Sequence, residues 1–150
     1  MGLALKSARQ GIRKKEGGPF GACIVKNNKI IATAHNTVLK SKNATCHAEI
    51  NAIRLASKKL KTWELNGCEI YSTTEPCPMC FSAIHWARID RVYYGTDIRD
   101  VKALGFNELT ISNFKMKRMG KSKVKIKDNF ERSACLTLLQ EWSKDKTHLY

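Results

Sequence analysis

Apolar residues recur at two different periods along this chain, and the changes of period mark its elements. Leu5, Ala8 and Ile12 stand at helical spacing among lysines and arginines, predicting a helix over residues 3–14 that Gly17-Gly18-Pro19 stops. Phe20–Lys26 and Lys29–Ala34 are β-rich runs joined by Asn27-Asn28, residues that tolerate the positive φ of a tight hairpin turn. A polar stretch from His35 to Thr45 reads as a loop. Ile50, Ile53, Ala56 and Leu60 then predict an amphipathic helix from about His47 to Leu60, with Thr45 as its cap. Cys68–Thr73 reads as a strand, Cys77–Ala87 as a helix opened by Pro76, and Arg91–Gly95 as a further short strand. Phe130, Ala134, Leu138 and Trp142 recur every four residues and predict a last helix. No period can be read between about Thr96 and Asp128. Strands alternating with helices predict an α/β protein, a three-layer α/β/α sandwich, and 150 residues make a single domain spanning 1–150.

Composition narrows the class. Hydrophobic residues are 43% and charged residues 27%, ordinary for a globular chain, so disorder over most of the length is excluded. No apolar run approaches the roughly 18 to 20 residues of a membrane helix, and Met1–Lys6 does not read as a secretory signal. Six cysteines are too few for a disulfide scaffold and are expected to be reduced in a cytoplasmic protein. The formal net charge of +14 points toward an anionic partner. Lys115, Lys117, Arg118, Lys121, Lys123, Lys125 and Lys127 crowd a stretch with no acid from Leu109 to Lys127. Such a run is a nucleic-acid track or simply a solvated face.

The chemistry lies in two short motifs, Cys46-His47-Ala48-Glu49 and Glu75-Pro76-Cys77-Pro78-Met79-Cys80. Cys-x-x-Cys at a helix start sets two thiolates about one turn apart, a clamp for zinc, and His47 makes a third ligand. Three ligands rather than four leave an open position, as in a catalytic zinc. Glu49, two residues past the histidine, is placed to serve as general acid and base instead of ligand. The arrangement matches the zinc-deaminase signature H-x-E…P-C-x-x-C, with one Zn2+ per subunit on His47, Cys77 and Cys80. A redox-active Cys-x-x-Cys, or a structural zinc with Cys46 or His85 as fourth ligand, are the alternatives. Cys23, Cys46, Cys68 and Cys135 are assigned mostly to burial.

At these residues the chain resembles the cytidine deaminase-like superfamily, whose fold is a five-stranded mixed sheet between helices. Gly17–Ala22, Cys46–Arg54, Glu75–Cys80, Ile84–Arg88 and Ala103–Phe106 are similar to the bacterial guanine deaminase branch. The resemblance implies hydrolytic deamination of a purine base, guanine to xanthine and ammonia. It implies that Asn36 hydrogen-bonds the base, that Phe20 and Trp86 line the pocket, and that Ala48 contributes to substrate binding. Glu108 stands where the branch carries an aspartate, as a second acidic group. The resemblance further implies a homodimer exchanging a C-terminal segment of about residues 129–150, with Tyr150 closing the partner's site. The bland readings are a core Phe20, a packing Trp86, a loop-capping Asn36 and a frayed Tyr150. A tRNA-specific adenosine deaminase shares the motifs and suits the +14 charge. Phe106–Leu109 replaces the Gly-Ser-Leu-type motif expected there, and the chain ends Thr147-His148-Leu149-Tyr150 instead of in a basic helix. Relatives acting on another base, a nucleoside or a triazine also share the chemistry. A nucleic-acid-binding module with a purely structural zinc would not need Glu49.

Overall fold

The computed structural model describes residues 1–144. Its five strands, β1 (Gly21–Lys26), β2 (Lys29–His35), β3 (Cys68–Thr74), β4 (Arg91–Thr96) and β5 (Lys125–Lys127), form one sheet in the order β2-β1-β3-β4-β5. β1 runs antiparallel to both β2 and β3, while β3, β4 and β5 are parallel, so the sheet is mixed as the resemblance implied. The hairpin turns on Asn27 and Asn28 at φ 49° and 59°, the left-handed pair that a two-residue turn with native twist demands.

Helices cover both faces. α1 (Gly2–Arg13) and α7 (Arg132–Lys144) lie on one side, where Leu5, Ala8, Cys135 and Leu138 pack together. α3 (Ala48–Leu60) and α4 (Pro78–Trp86) lie on the other, and their Ala52, Ala56, Phe81 and Ile84 meet Ile24, Ile70 and Val92 of the sheet. Strand alternation explains the two-sided core, because successive side chains leave the sheet on opposite faces. Two glycines admit the α1 and α7 layer. A Cβ at Gly21 would collide with the Ala4 carbonyl of α1, and one at Gly95 with the Cys135 side chain of α7.

Several boundaries differ from the sequence expectation. The loop after β2 contains a short helix, α2 (Val38–Ser41). Thr45 does not cap α3: its N–H and hydroxyl both bond the Asn43 side chain, at 2.9 and 2.8 Å, and His47 takes the cap position. Pro78, not Pro76, fills the first turn of α4, following Cys77 at its cap. The unreadable stretch holds α5 (Ile98–Lys102), α6 (Asn113–Met119) and β5. Phe130 precedes α7 and packs edge-on against Tyr71 and Tyr93. In this single chain α7 lies over its own β4, and Arg9 of α1 pairs with Glu141 at 2.8 Å. An exchange between copies would therefore trade these same contacts across. Tyr150 lies outside the described residues.

Candidate active site

The topology brings four chain segments to one end of the strands. Because β1 is antiparallel to its neighbours, its start lies beside the ends of β2, β3 and β4. Phe20 precedes β1, Asn36 follows β2, Glu75–Cys77 follow β3, and the segment bearing Phe106–Leu109 comes after β4 and α5. A cavity of about 300 Å³ opens here, lined among others by Phe20, Asn36, His47, Cys77, Phe106 and Glu108.

His47 and Cys77 are the cap residues of α3 and α4, in extended conformation, and neither side chain caps its own helix. Both side chains turn instead toward the same point, with Cys77 Sγ 3.6 Å from His47 Nδ1. One atom each of His47, Cys77 and Cys80 lies within 4.8 Å of the others, the spacing a single tetrahedral ion requires. The two helix N-termini add partial positive charge that favours thiolate. In the protein without metal, the hydrogen bond from Cys80 lowers the Cys77 thiol to about 4, with a further contribution from His47. The same contact and burial raise Cys80 well above its ordinary value. A pair sharing one proton between sulfurs, beside an imidazole, is a donor set suited to zinc. The alternative fourth ligands do not arrive. Cys46 takes a hydrogen bond from Arg54 Nη1 at 3.6 Å, so it is more than buried apolar filler. His85 sits at the opposite end of α4, its Nδ1 3.0 Å from Ser122 Oγ.

Glu49, in the first turn of α3, is buried at 5% exposure, and Ser72 Oγ of β3 donates to its Oε1 at 2.9 Å. Burial, followed by the nearby Cys77, raises its carboxyl above the ordinary range. A space of about 20 Å³, enough for one water-sized molecule, is lined by His47, Glu49, Glu75, Cys77 and Glu108. Glu108 is half-buried, and burial likewise raises its carboxyl.

Asn36 is 1% exposed; its Oδ1 accepts the Val38 N–H at 3.0 Å, while its amide nitrogen has no partner. A buried donor left open beside a cavity implies a ligand acceptor. Phe20 meets Phe106 edge-on, ring centroids 5.2 Å apart, and both line the cavity. Trp86 does not reach it. Six residues beyond Cys80 is about 240° around a helix, and the indole is 75% exposed. Ala48 is buried in the core and does not line the cavity.

Two further residues escaped the sequence reading. Glu75 Oε1 accepts the Asn113 N–H at 2.7 Å, and Oε2 accepts that of Ile98 at 3.3 Å. Asn113 Nδ2 donates to the Pro76 carbonyl at 2.6 Å. Together they clamp α5 and α6, on either side of Glu108, to the strand end that carries Cys77. Glu75 stands within a quoted motif, whereas nothing in the sequence distinguishes Asn113 from a loop asparagine.

Residues 1–96 match the model of the cytidine and deoxycytidylate deaminase zinc-binding region. The chain belongs to this family. It is accordingly a zinc-dependent deaminase, a hydrolase acting on C–N bonds. The guanine deaminase of Bacillus subtilis is 45% identical over 105 residues, covering 70% of this chain and 67% of the relative. A tRNA-specific adenosine deaminase of Buchnera aphidicola is 36% identical over 146 residues, covering 97% and 93%. Among solved structures, an NE0047 variant in complex with 8-azaguanine superposes with a TM-score of 0.88 at 30% identity, covering 97% of this chain and 82% of that one.

Proposed function

We propose that this deaminase acts on a purine free base, converting guanine and water to xanthine and ammonia, with His47, Cys77 and Cys80 holding zinc. The observation that carries the reading is the unpaired, buried Asn36 amide beside a small, aromatic-walled cavity with a second carboxyl, Glu108, at its rim. A cavity of about 300 Å³ is at the small end of ligand pockets and suits a planar base. Phe20 and Phe106 give the ring an apolar wall, and Asn36 donates to an acceptor on its edge. Zinc, when bound, supplies the Lewis acid that readies a water for attack on the amino-bearing carbon. Glu49 would take one proton from that water and pass it to the ring nitrogen, then take the second from the added hydroxyl and pass it to the departing amine as the carbonyl forms. Its raised affinity for protons suits a group that must hold one between those steps. Glu108 faces the same space and hydrogen-bonds the amino-bearing edge. Phe20, Asn36 and Glu108 are the substrate-facing residues of this reading. Trp86 and Tyr150 enter it only through a second copy, in a homodimer. The six free cysteines accord with a reducing, cytoplasmic setting.

Asn36→Ala should raise KM for guanine about tenfold and leave zinc content unchanged, the loss expected for one hydrogen bond. An unchanged KM would remove Asn36 from the base-binding set. The tRNA-specific reading is favoured by one observation, a relative of that activity matching 97% of this chain, and the +14 charge agrees with it.

A further inference from the structure

Asn51 belongs to neither the metal set nor the cavity lining, yet its side chain ties three points of the chain together. Helical side chains lean toward the helix N-terminus, so from the fourth residue of α3 it reaches back across the turn that opens after His47. Its Nδ2 donates to the His35 carbonyl at 3.0 Å, to the Thr37 hydroxyl at 3.0 Å and to the Cys46 carbonyl at 3.2 Å. Carbonyl oxygens can only accept, so the amide nitrogen and not its oxygen faces them. Its two N–H groups serve three oxygens, so one is shared.

The identity of the acceptors gives the contact its meaning. The His35 carbonyl belongs to the peptide that leads into Asn36, Thr37 follows Asn36, and the Cys46 carbonyl belongs to the peptide that leads into His47. The Thr37 N–H also donates to that Cys46 carbonyl at 3.0 Å, and the Asn36 N–H donates to the Phe20 carbonyl at 3.0 Å. Gly17 packs so closely that a Cβ there would collide with the Asn36 side chain and carbonyl. Residues 37–46 thus leave and re-enter the site at two points that one side chain joins, and the helix bearing it also bears Glu49. An asparagine that merely braces a loop is the plain alternative. Asn43 is such a residue: its side chain bonds the Thr45 N–H and hydroxyl at 2.9 and 2.8 Å and reaches neither of those peptides.

We propose that Asn51 is a positioning residue that holds the Asn36 amide in fixed register with His47, so that a base bound by Asn36 presents its amino-bearing carbon to Glu49 and the metal ligands. Asn36 cannot set this register itself. Its Oδ1 bond to the Val38 N–H fixes the side chain within its own turn, but not the turn relative to α3. Asn51 is half-buried and lines a surface groove with Gln10, Lys40 and Arg54. After truncation, water entering from that groove can satisfy the freed carbonyls, so stability changes little while the tether to α3 is lost. The consequence for turnover rests on the base-binding reading of Asn36, whereas the tether itself does not.

The tether is first read without substrate, by nuclear magnetic resonance of the full-length zinc-loaded protein. The Asn36 side-chain amide is identified in the proton–nitrogen spectrum by its loss in Asn36→Ala. Asn51→Ala should shift or broaden that signal, and so should Asn51→Asp, which keeps the shape and loses the donors. Asn43→Ala, which loosens the same loop, should leave it in place. An unmoved signal in both Asn51 variants would overturn the proposal. With guanine, Asn51→Ala should raise KM about fivefold and lower kcat by no more than about twofold, with zinc content unchanged. Because Asn51 acts through Asn36, the two substitutions are not additive: in the Asn36→Ala background, Asn51→Ala should add less than about twofold to KM. Effects that multiply, or an equal rise in KM with Asn43→Ala, would also overturn it. An unchanged KM in Asn36→Ala alone would defeat the base-binding reading instead, and the amide signal would still decide the tether.

Discussion

Residues 1–96 and residues 97–131 of this chain are built on different principles. The first region places His47, Glu49, Cys77 and Cys80 on two helix starts buried against the sheet, so its chemistry is fixed by core packing. The second passes through two short helices and a three-residue strand, and it carries Phe106 and Glu108 to the cavity on a loop. The family match ends at residue 96, where this change occurs. A rigid metal half with an adaptable rim lets one chemistry serve different amino-bearing rings, since loops tolerate change that a packed helix start does not. Glu75 and Asn113 join the halves, holding α5 and α6 to the strand end before Cys77.

Substitutions separate the two regions. Cys80→Ala should lose the metal and turnover together, measured as zinc per chain and ammonia released; full occupancy would break the ligand assignment. Glu49→Gln should keep zinc and cut kcat by about 10²- to 10⁴-fold, the contribution of a general acid and base. Glu108→Gln, in the rim, should lower kcat/KM for guanine by about 10- to 100-fold with zinc and fold unchanged. A metal loss in that variant would show that the rim is not separable from the zinc half.

The smallest effect concerns the frame around Asn36. Glu16, at the exit of α1, bonds Lys40 Nζ at 2.8 Å and His35 Nε2 at 2.6 Å. These partners, Lys40 first, lower its carboxyl to about 2. Its ionised form is thus favoured in the folded chain, and the gain is complete above the ordinary carboxylate range. That gain is lost as pH falls from about 4.5 toward 2. Glu16→Gln should therefore lower Tm by a few degrees at pH 7, with the difference from wild type shrinking below pH 4. A difference that grows with acid would reverse the assignment.

What could be read from the sequence follows the same division. Long amphipathic periods gave α1, α3 and α7 nearly to their ends, and Asn27-Asn28 gave the hairpin, because each rests on local chemistry. The metal set was readable because Cys-x-x-Cys and His-x-Glu impose their own spacing. α5 and β5, five and three residues long, are too short to show a period, and α6 is largely cationic. Phe106 was quoted for likeness but not as a pocket wall, since its contact with Phe20 spans distant segments. Trp86 is the opposite case: within one chain the turn of α4 carries the indole to solvent, so a place in the pocket would depend on a second copy, which no spacing in the sequence encodes.

The most direct measurement compares two substrates on one zinc-loaded preparation: xanthine formed from guanine, and inosine formed in an adenosine-containing tRNA. The account predicts steady xanthine and ammonia with no inosine. Inosine in the tRNA with guanine left intact would contradict it.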